Sequence, residues 1–173
     1  MSNSFITNKD KFLSDIINGI LPKTNAVDFL VGYFYYSGYK ELSEQLKDKR
    51  IRILIGLDIE IHITKHICEV ENFRQQLQSR GVLKEEYYAQ FIKAFNDTDF
   101  LDTEEKIGQF KMFYSKILDG SLEIRKTLEP CHSKMYLFAY SDIINEGGEN
   151  PGVLITGSSN LSYQGLKGRL ELN

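Results

Sequence analysis

The 173-residue chain holds only two cysteines, Cys68 and Cys131, far apart and without CxxC spacing. They supply neither a disulfide framework nor a zinc signature and read as reduced thiols. Cys131 stands beside His132, yet no thiol-protease context surrounds it, so an incidental thiol is expected rather than a nucleophile. No apolar run approaches the roughly 18 residues of a membrane span, and Met1-Ser2-Asn3-Ser4-Phe5 lacks the basic stretch and apolar core of an export signal. A cytoplasmic protein without membrane contact is expected. There is no excess of positive charge either: the net charge of −3 argues against a generally basic surface while leaving a local phosphate-binding patch open. Internal repeats, low-complexity segments and the GxxxxGK[ST] pattern are all missing, so any ATPase activity would have to lie beyond Asn173. What is present, 42% hydrophobic and 26% charged residues, suits one globular domain spanning 1–173.

Hydrophobic spacing gives the element order. Thr7 to Leu21 predicts a helix with Thr7 as cap and Phe12, Leu13, Ile16, Ile17 and Ile20 on one face, ended by Pro22. Val27 to Tyr36 predicts a buried strand, Tyr39 to Leu46 a short helix, and Ile51 to Gly56 a second strand, together a parallel βαβ unit. Three helical stretches follow, carried by Ile67 to Leu77, Leu83 to Phe95 and Ile107 to Leu118, the last stopped by Asp119-Gly120. Strands return at Leu122 to Lys126, Met135 to Tyr140 and Val153 to Thr156, with a Gly- and acid-rich loop from Asp142 to Gly152. The fold class is therefore α/β, a mixed sheet flanked by helices. The closing Leu170-Glu171-Leu172-Asn173 looks like the start of another strand, as if the chain were a fragment of a longer protein.

Two short stretches carry the chemistry. His132-Ser133-Lys134 opens one strand, and alternation puts His132, Lys134 and Tyr136 on one face. Gly157-Ser158-Ser159-Asn160 closes another. A neutral imidazole is nucleophilic near pH 7 and moves protons, an ammonium neutralises non-bridging phosphate oxygens, and a turn of amide and hydroxyl donors can curl around the same oxygens without a metal. An attacking imidazole also needs an acceptor on its other nitrogen, for which Glu171 is the candidate. His62 and His66, four apart, lack a third ligand and read as solvent-facing. Tyr33, Tyr35 and Tyr36 read as a half-buried aromatic strand, with base stacking the rival use. Arg125, Lys126, Lys167 and Arg169 are either phosphate guides or solvated charges.

At these residues the chain resembles the phospholipase D superfamily, whose motif runs HxK, four residues, Asp, six residues, GSxN, then a Glu that supports the histidine. His132, Lys134, Gly157, Ser158, Asn160 and Glu171 match it. Val31-Gly32-Tyr33-Phe34 with Ser37-Gly38, Ile51 to Gly56, and the ending from Gly165-Leu166 to Glu171-Leu172-Asn173 look like the phospholipase-D-like domain that precedes helicase modules in bacterial restriction-type proteins. The motif's aspartate falls at Ala139, and the 22 residues between Lys134 and Gly157 are twice the family's spacing. Nucleic-acid-cleaving branches of the superfamily also lack that aspartate.

The resemblance implies a phospholipase-D-like fold and a phosphodiesterase or nuclease that needs no cofactor and no metal. In it His132, Lys134, Asn160 and Glu171 are catalytic and Gly157, Ser158 and Ser159 bind substrate. The implied partners are nucleic acid, DNA foremost, and a helicase module C-terminal to this segment. Because the family uses two such motifs and this chain has one, the resemblance also implies a homodimer. The rival expectation is a nucleic-acid-binding or dimerisation module without chemistry; a phospholipid-processing enzyme is the weakest, for want of an amphipathic membrane face.

Overall fold

A computed structural model describes residues 5–9, 11–59, 104–140 and 151–173. The expected helices of Ile67 to Leu77 and Leu83 to Phe95, His62, His66, Cys68 and all but the end of the Asp142 to Gly152 loop lie outside them. The chain divides into two compact units, one formed by 1–61 with 121–173 and the other by 62–120.

In the first unit the elements are α1 (Leu13–Ile20), a 3-10 turn (Leu21–Lys23), β1 (Thr24–Phe34), α2 (Tyr36–Leu46) and β2 (Arg50–Ile59). After residue 120 the first unit resumes with β3 (Leu122–Lys126), β4 (Met135–Tyr140), β5 (Gly152–Thr156) and a π-helical turn (Gln164–Gly168). The strands form one mixed sheet in the order β3-β2-β1-β4-β5. β1, β2 and β3 run parallel, while β4 is antiparallel to β1 and β5 to β4. The fold is thus mixed α/β, and the β1-α2-β2 crossover expected from the sequence is present. In the second unit, α3 (Glu104–Asp119) realises the Ile107 to Leu118 pattern, with Phe110 and Tyr114 edge to face at 4.7 Å. It ends at Gly120, whose φ of 81° no side chain adopts easily.

One face of the sheet carries the core. Val27, Phe29 and Val31 of β1 lie level with Ile51, Ile53 and Ile55 of β2, and Phe29 and Val27 face Tyr136 and Phe138 of β4. The opposite face keeps Leu54, Leu137 and Leu154 partly exposed around a bidentate Arg52–Asp28 pair. The inward phase of β1 does not persist to its end. Pairing with β2 shifts between Val31 and Tyr33, where Gly32 alone stands opposite Gly56 and Leu57. Past that irregularity Phe34 and Tyr36 are buried while Tyr33 and Tyr35 are exposed.

β1 starts and ends earlier than expected and β2 runs on to Ile59, and the starts of α1 and α2 move as well. α1 begins at Leu13, six residues after the expected Thr7 cap. Asn8 adopts a left-handed φ of 56°, its side-chain oxygen accepts the Leu13 N–H at 2.8 Å, and its amide donates to the Gly165 carbonyl at 2.8 Å. Ile6 exchanges both backbone hydrogen bonds with Asn173, at 2.9 and 3.0 Å, so residues before the helix are extended against the last residues of the chain. α2 begins at Tyr36 rather than Tyr39: the Gly38 N–H already donates to the Tyr35 carbonyl at 3.0 Å, and only a glycine fits there against the Leu161–Ser162 backbone.

Asn8 therefore serves three ends: a left-handed turn, a helix N-terminus and the π-helical turn. Asn8→Ala should lose about 2 kcal/mol in urea unfolding, while Asn8→Gly, which keeps the turn and loses only the side-chain bonds, should lose less.

Candidate functional site

The site gathers where the C-terminal end of β1, the entry to β4 and the exit from β5 meet. The loop from Thr127 to Lys134 is fastened to the end of β2. Thr127 and Cys131 donate their N–H groups to the carbonyls of Ile55 and Gly56, both at 2.9 Å. His132 and Lys134 precede the first paired residue of β4, so they leave the sheet edge rather than belong to it. Of the expected trio, Lys134 and Tyr136 are buried and His132 is exposed.

The Lys134 ammonium lies 2.8 Å from His132 Nδ1 and 3.3 Å from Nε2, and donates to the His132 carbonyl at 2.5 Å. An ammonium has only donors, and it stands against both ring nitrogens at once, whose donor and acceptor roles are set by the tautomer. Lys134 is 4% exposed, and that burial pulls its pKa below the ordinary lysine value, with Glu171 and then Cys131 pushing back. A buried ammonium with incomplete charge compensation is a site an anion would stabilise.

Asn160 faces it. Its Oδ1 accepts the Tyr33 N–H at 2.9 Å. A backbone N–H can only donate, which fixes the amide orientation and turns the Nδ2 donors away from β1. Both this Oδ1 and the Lys134 Nζ lie 3.3 Å from where a Cβ on Gly32 would sit, hence no further from each other than twice that distance. Any side chain at Gly32 would crowd both. The Tyr33 ring, edge to face with His132 at 6.4 Å and 83°, closes the same space. Imidazole, ammonium and amide thus converge.

The remaining expected residues are placed differently. Ser158 donates to Glu171 Oε2 in a very short bond and accepts the Leu172 N–H at 3.1 Å. Glu171, assigned from the resemblance to hold the His132 ring, is bonded here to Ser158, and among the described residues it reaches Lys134 and Tyr136 only through its charge. Ser159 is fully buried, its hydroxyl accepting from Asn173 Nδ2 at 2.8 Å and its carbonyl accepting the Tyr136 hydroxyl at 3.0 Å; it faces the protein interior. Burial, reinforced by Glu171, pushes the Tyr136 phenol well above its usual value, so it stays a protonated donor. Gly157 is where the last residues cross: a Cβ there would lie 2.2 Å from the Leu172 carbonyl oxygen.

Ala139 lies on the exposed face of β4, paired with Ala26 and Gly152, five positions along from Lys134 and away from the pocket. Arg125 pairs with Glu123, Lys126 with Asp58 at 4.0 Å, and Lys167 with Glu41 at 2.6 Å, so these read as solvated surface charges. Cys131 is a free thiol; a backbone hydrogen bond from Ser133, followed by its hydroxyl, holds its pKa below the ordinary thiol value. Sequence reasoning missed the Tyr33 N–H and the Asn173 side chain. The first is a main-chain group with no sequence signature, and the second acts across a contact between chain ends.

The chain matches no protein-family model and no curated protein.

Two outcomes follow from this geometry. Sulfate at ten times its dissociation constant should stabilise the protein by roughly 1.4 kcal/mol in thermal unfolding. Lys134→Met should abolish that protection, and so should Asn160→Asp, whose carboxylate still accepts the Tyr33 N–H but repels the anion. The bound anion favours the protonated ammonium, so sulfate affinity should fall as pH rises through the Lys134 pKa. Isothermal titration across pH should place that fall below the ordinary lysine value of about 10.4.

Proposed function

We propose that this chain is a metal-independent phosphodiesterase domain of phospholipase D type, acting on DNA as a homodimer and attached to a helicase in a longer protein. The observation that carries the reading is the convergence of the His132 imidazole, the Lys134 ammonium and the Asn160 amide around Gly32. The resemblance in motif order supplies the rest.

In the proposed reaction an imidazole nitrogen of His132 attacks phosphorus, a P–N bond forms and a P–O bond breaks. The leaving oxygen takes its proton from the His132 of a second copy of the chain. Water then attacks the phosphohistidine, giving a phosphomonoester and free imidazole, with the second imidazole taking the water's proton. Lys134 and the Asn160 Nδ2 donors hold the non-bridging oxygens, whose charge is greatest in the transition state. The positive charge that a metal would bring comes from Lys134 instead.

A second reading, a nucleic-acid-binding or dimerisation module without turnover, is favoured by two observations. The family's aspartate position is Ala139, outside the pocket, and Glu171 is bonded to Ser158 rather than to the imidazole. One experiment separates the two readings. Under catalysis, His132→Ala should lower cleavage of a fluorescent oligonucleotide by at least about a thousandfold, leave the solution mass of the wild-type dimer unchanged, and activity should persist in EDTA. Absence of turnover by the wild type, with salt-dependent DNA binding that His132→Ala barely alters, would establish the binding module instead. A monomeric mass would remove the shared-site mechanism.

A further inference from the structure

We infer that Tyr33 and Tyr35 form a stacking platform for unpaired bases beside the phosphate pocket, so that the ligand of this site is single-stranded nucleic acid. The inference rests on the phosphodiester reading of the His132 pocket and adds to it the state of the strand.

The irregularity after Val31 is what makes the platform. Had the inward phase of β1 continued, Tyr33 would be buried like Phe29 and Val31; instead Phe34 and Tyr36 take the buried places and Tyr33 and Tyr35 are 37% and 42% exposed. Both rings ride on a fixed backbone. The Tyr33 N–H donates to Asn160 Oδ1 at 2.9 Å and the Tyr35 N–H to the Leu161 carbonyl at 3.0 Å, and Phe34 bridges Leu161 between them. Two outward positions of one extended segment stand roughly 7 Å apart, a spacing that offers faces to successive bases. Tyr33 also lies against His132, so a base on its ring would be contiguous with a phosphate held by Lys134.

The charge distribution points the same way. The chain carries a net −3, and among the described cations Arg125 is paired with Glu123, Lys126 with Asp58 and Lys167 with Glu41. Such a chain offers no general electrostatic attraction to a polyanion, which gives stacking more of the affinity to supply. A duplex keeps its base faces inside the helix, where an edge-mounted tyrosine does not reach them, so the platform selects unpaired strands.

The test is fluorescence anisotropy on the full chain with three labelled probes of equal length: an oligothymidylate, the same backbone with abasic sites, and a duplex. The oligothymidylate should bind at least about ten-fold more tightly than the other two. Tyr33→Ala/Tyr35→Ala should reduce it to the abasic level, and Tyr33→Phe/Tyr35→Phe, which keeps the rings, should restore it. An unchanged preference in the alanine variant, or a duplex bound as tightly as the single strand, would overturn the platform. If Lys134→Met still weakens the abasic probe in that case, the phosphodiester reading stands without it. If Lys134→Met leaves all three affinities unchanged, the phosphodiester reading falls and the platform with it.

Discussion

The hydrogen bond from the Tyr33 N–H to Asn160 Oδ1 joins the end of a central strand to the turn that follows an edge strand, and the pocket is organised around it. A primary amide can present either of its two ends, and in a polar pocket open to water it would exchange between them. A partner that only donates removes that freedom: the oxygen is committed to β1, and the nitrogen is left to donate elsewhere. Through Gly32 the same strand end sets how near Lys134 can come to that amide. The order of strands matters here, because β1 and β4 are neighbours and their ends bring residues 33 and 134 to one edge although a hundred positions separate them.

The ammonium at the centre is held in an unbalanced state. Burial disfavours its charge, and Glu171 offsets this from a distance while its own carboxylate is bonded to Ser158. Direct pairing with Glu171 would neutralise the ammonium and leave little for an anion to gain. Keeping the carboxylate on Ser158 preserves a long-range attraction that retains the proton on Lys134 and leaves the ammonium near the imidazole available for phosphate oxygens. The last residues of the chain enforce this arrangement: Leu172 and Asn173 bond the Ser158 and Ser159 backbones, and Asn173 is itself paired with Ile6.

Much of the framework was legible because it depends on local pattern. The apolar runs at Ile51, Leu122 and Met135 gave strands, and the Pro22 and Gly120 breaks fell close to element ends. The start of α1 was not legible, since Thr7 mimics a helix cap while the Asn8 side chain, bonded to Leu13 and across to Gly165, decides the outcome. The exposure of Tyr33 was hidden for a related reason: an irregular pairing with β2 shifts which residues turn inward, and single-strand alternation carries no record of the partner. His132, Lys134 and Asn160 could be singled out because their chemistry is in their side chains. The orientation of Glu171 could not, because Ser158 and His132 compete for it and only the backbone path from Arg169 to Asn173 settles which one lies within reach.

On the proposed reading, one unit holds half of the required chemistry. Displacement at phosphorus needs the nucleophile and the acid that protonates the leaving oxygen on opposite sides. Lys134 touches the imidazole and therefore sits on the attacking side. Tyr136, buried and with its proton committed to the Ser159 carbonyl, cannot release it near neutral pH. The Ser158 hydroxyl donates its hydrogen bond to Glu171. On that reading the acid opposite His132 comes from another molecule, and the exposure of His132 leaves it accessible to one. A second copy supplies the group by symmetry: if one His132 faces phosphorus across a two-fold axis, so does the other, and each is nucleophile or acid according to which attacks first.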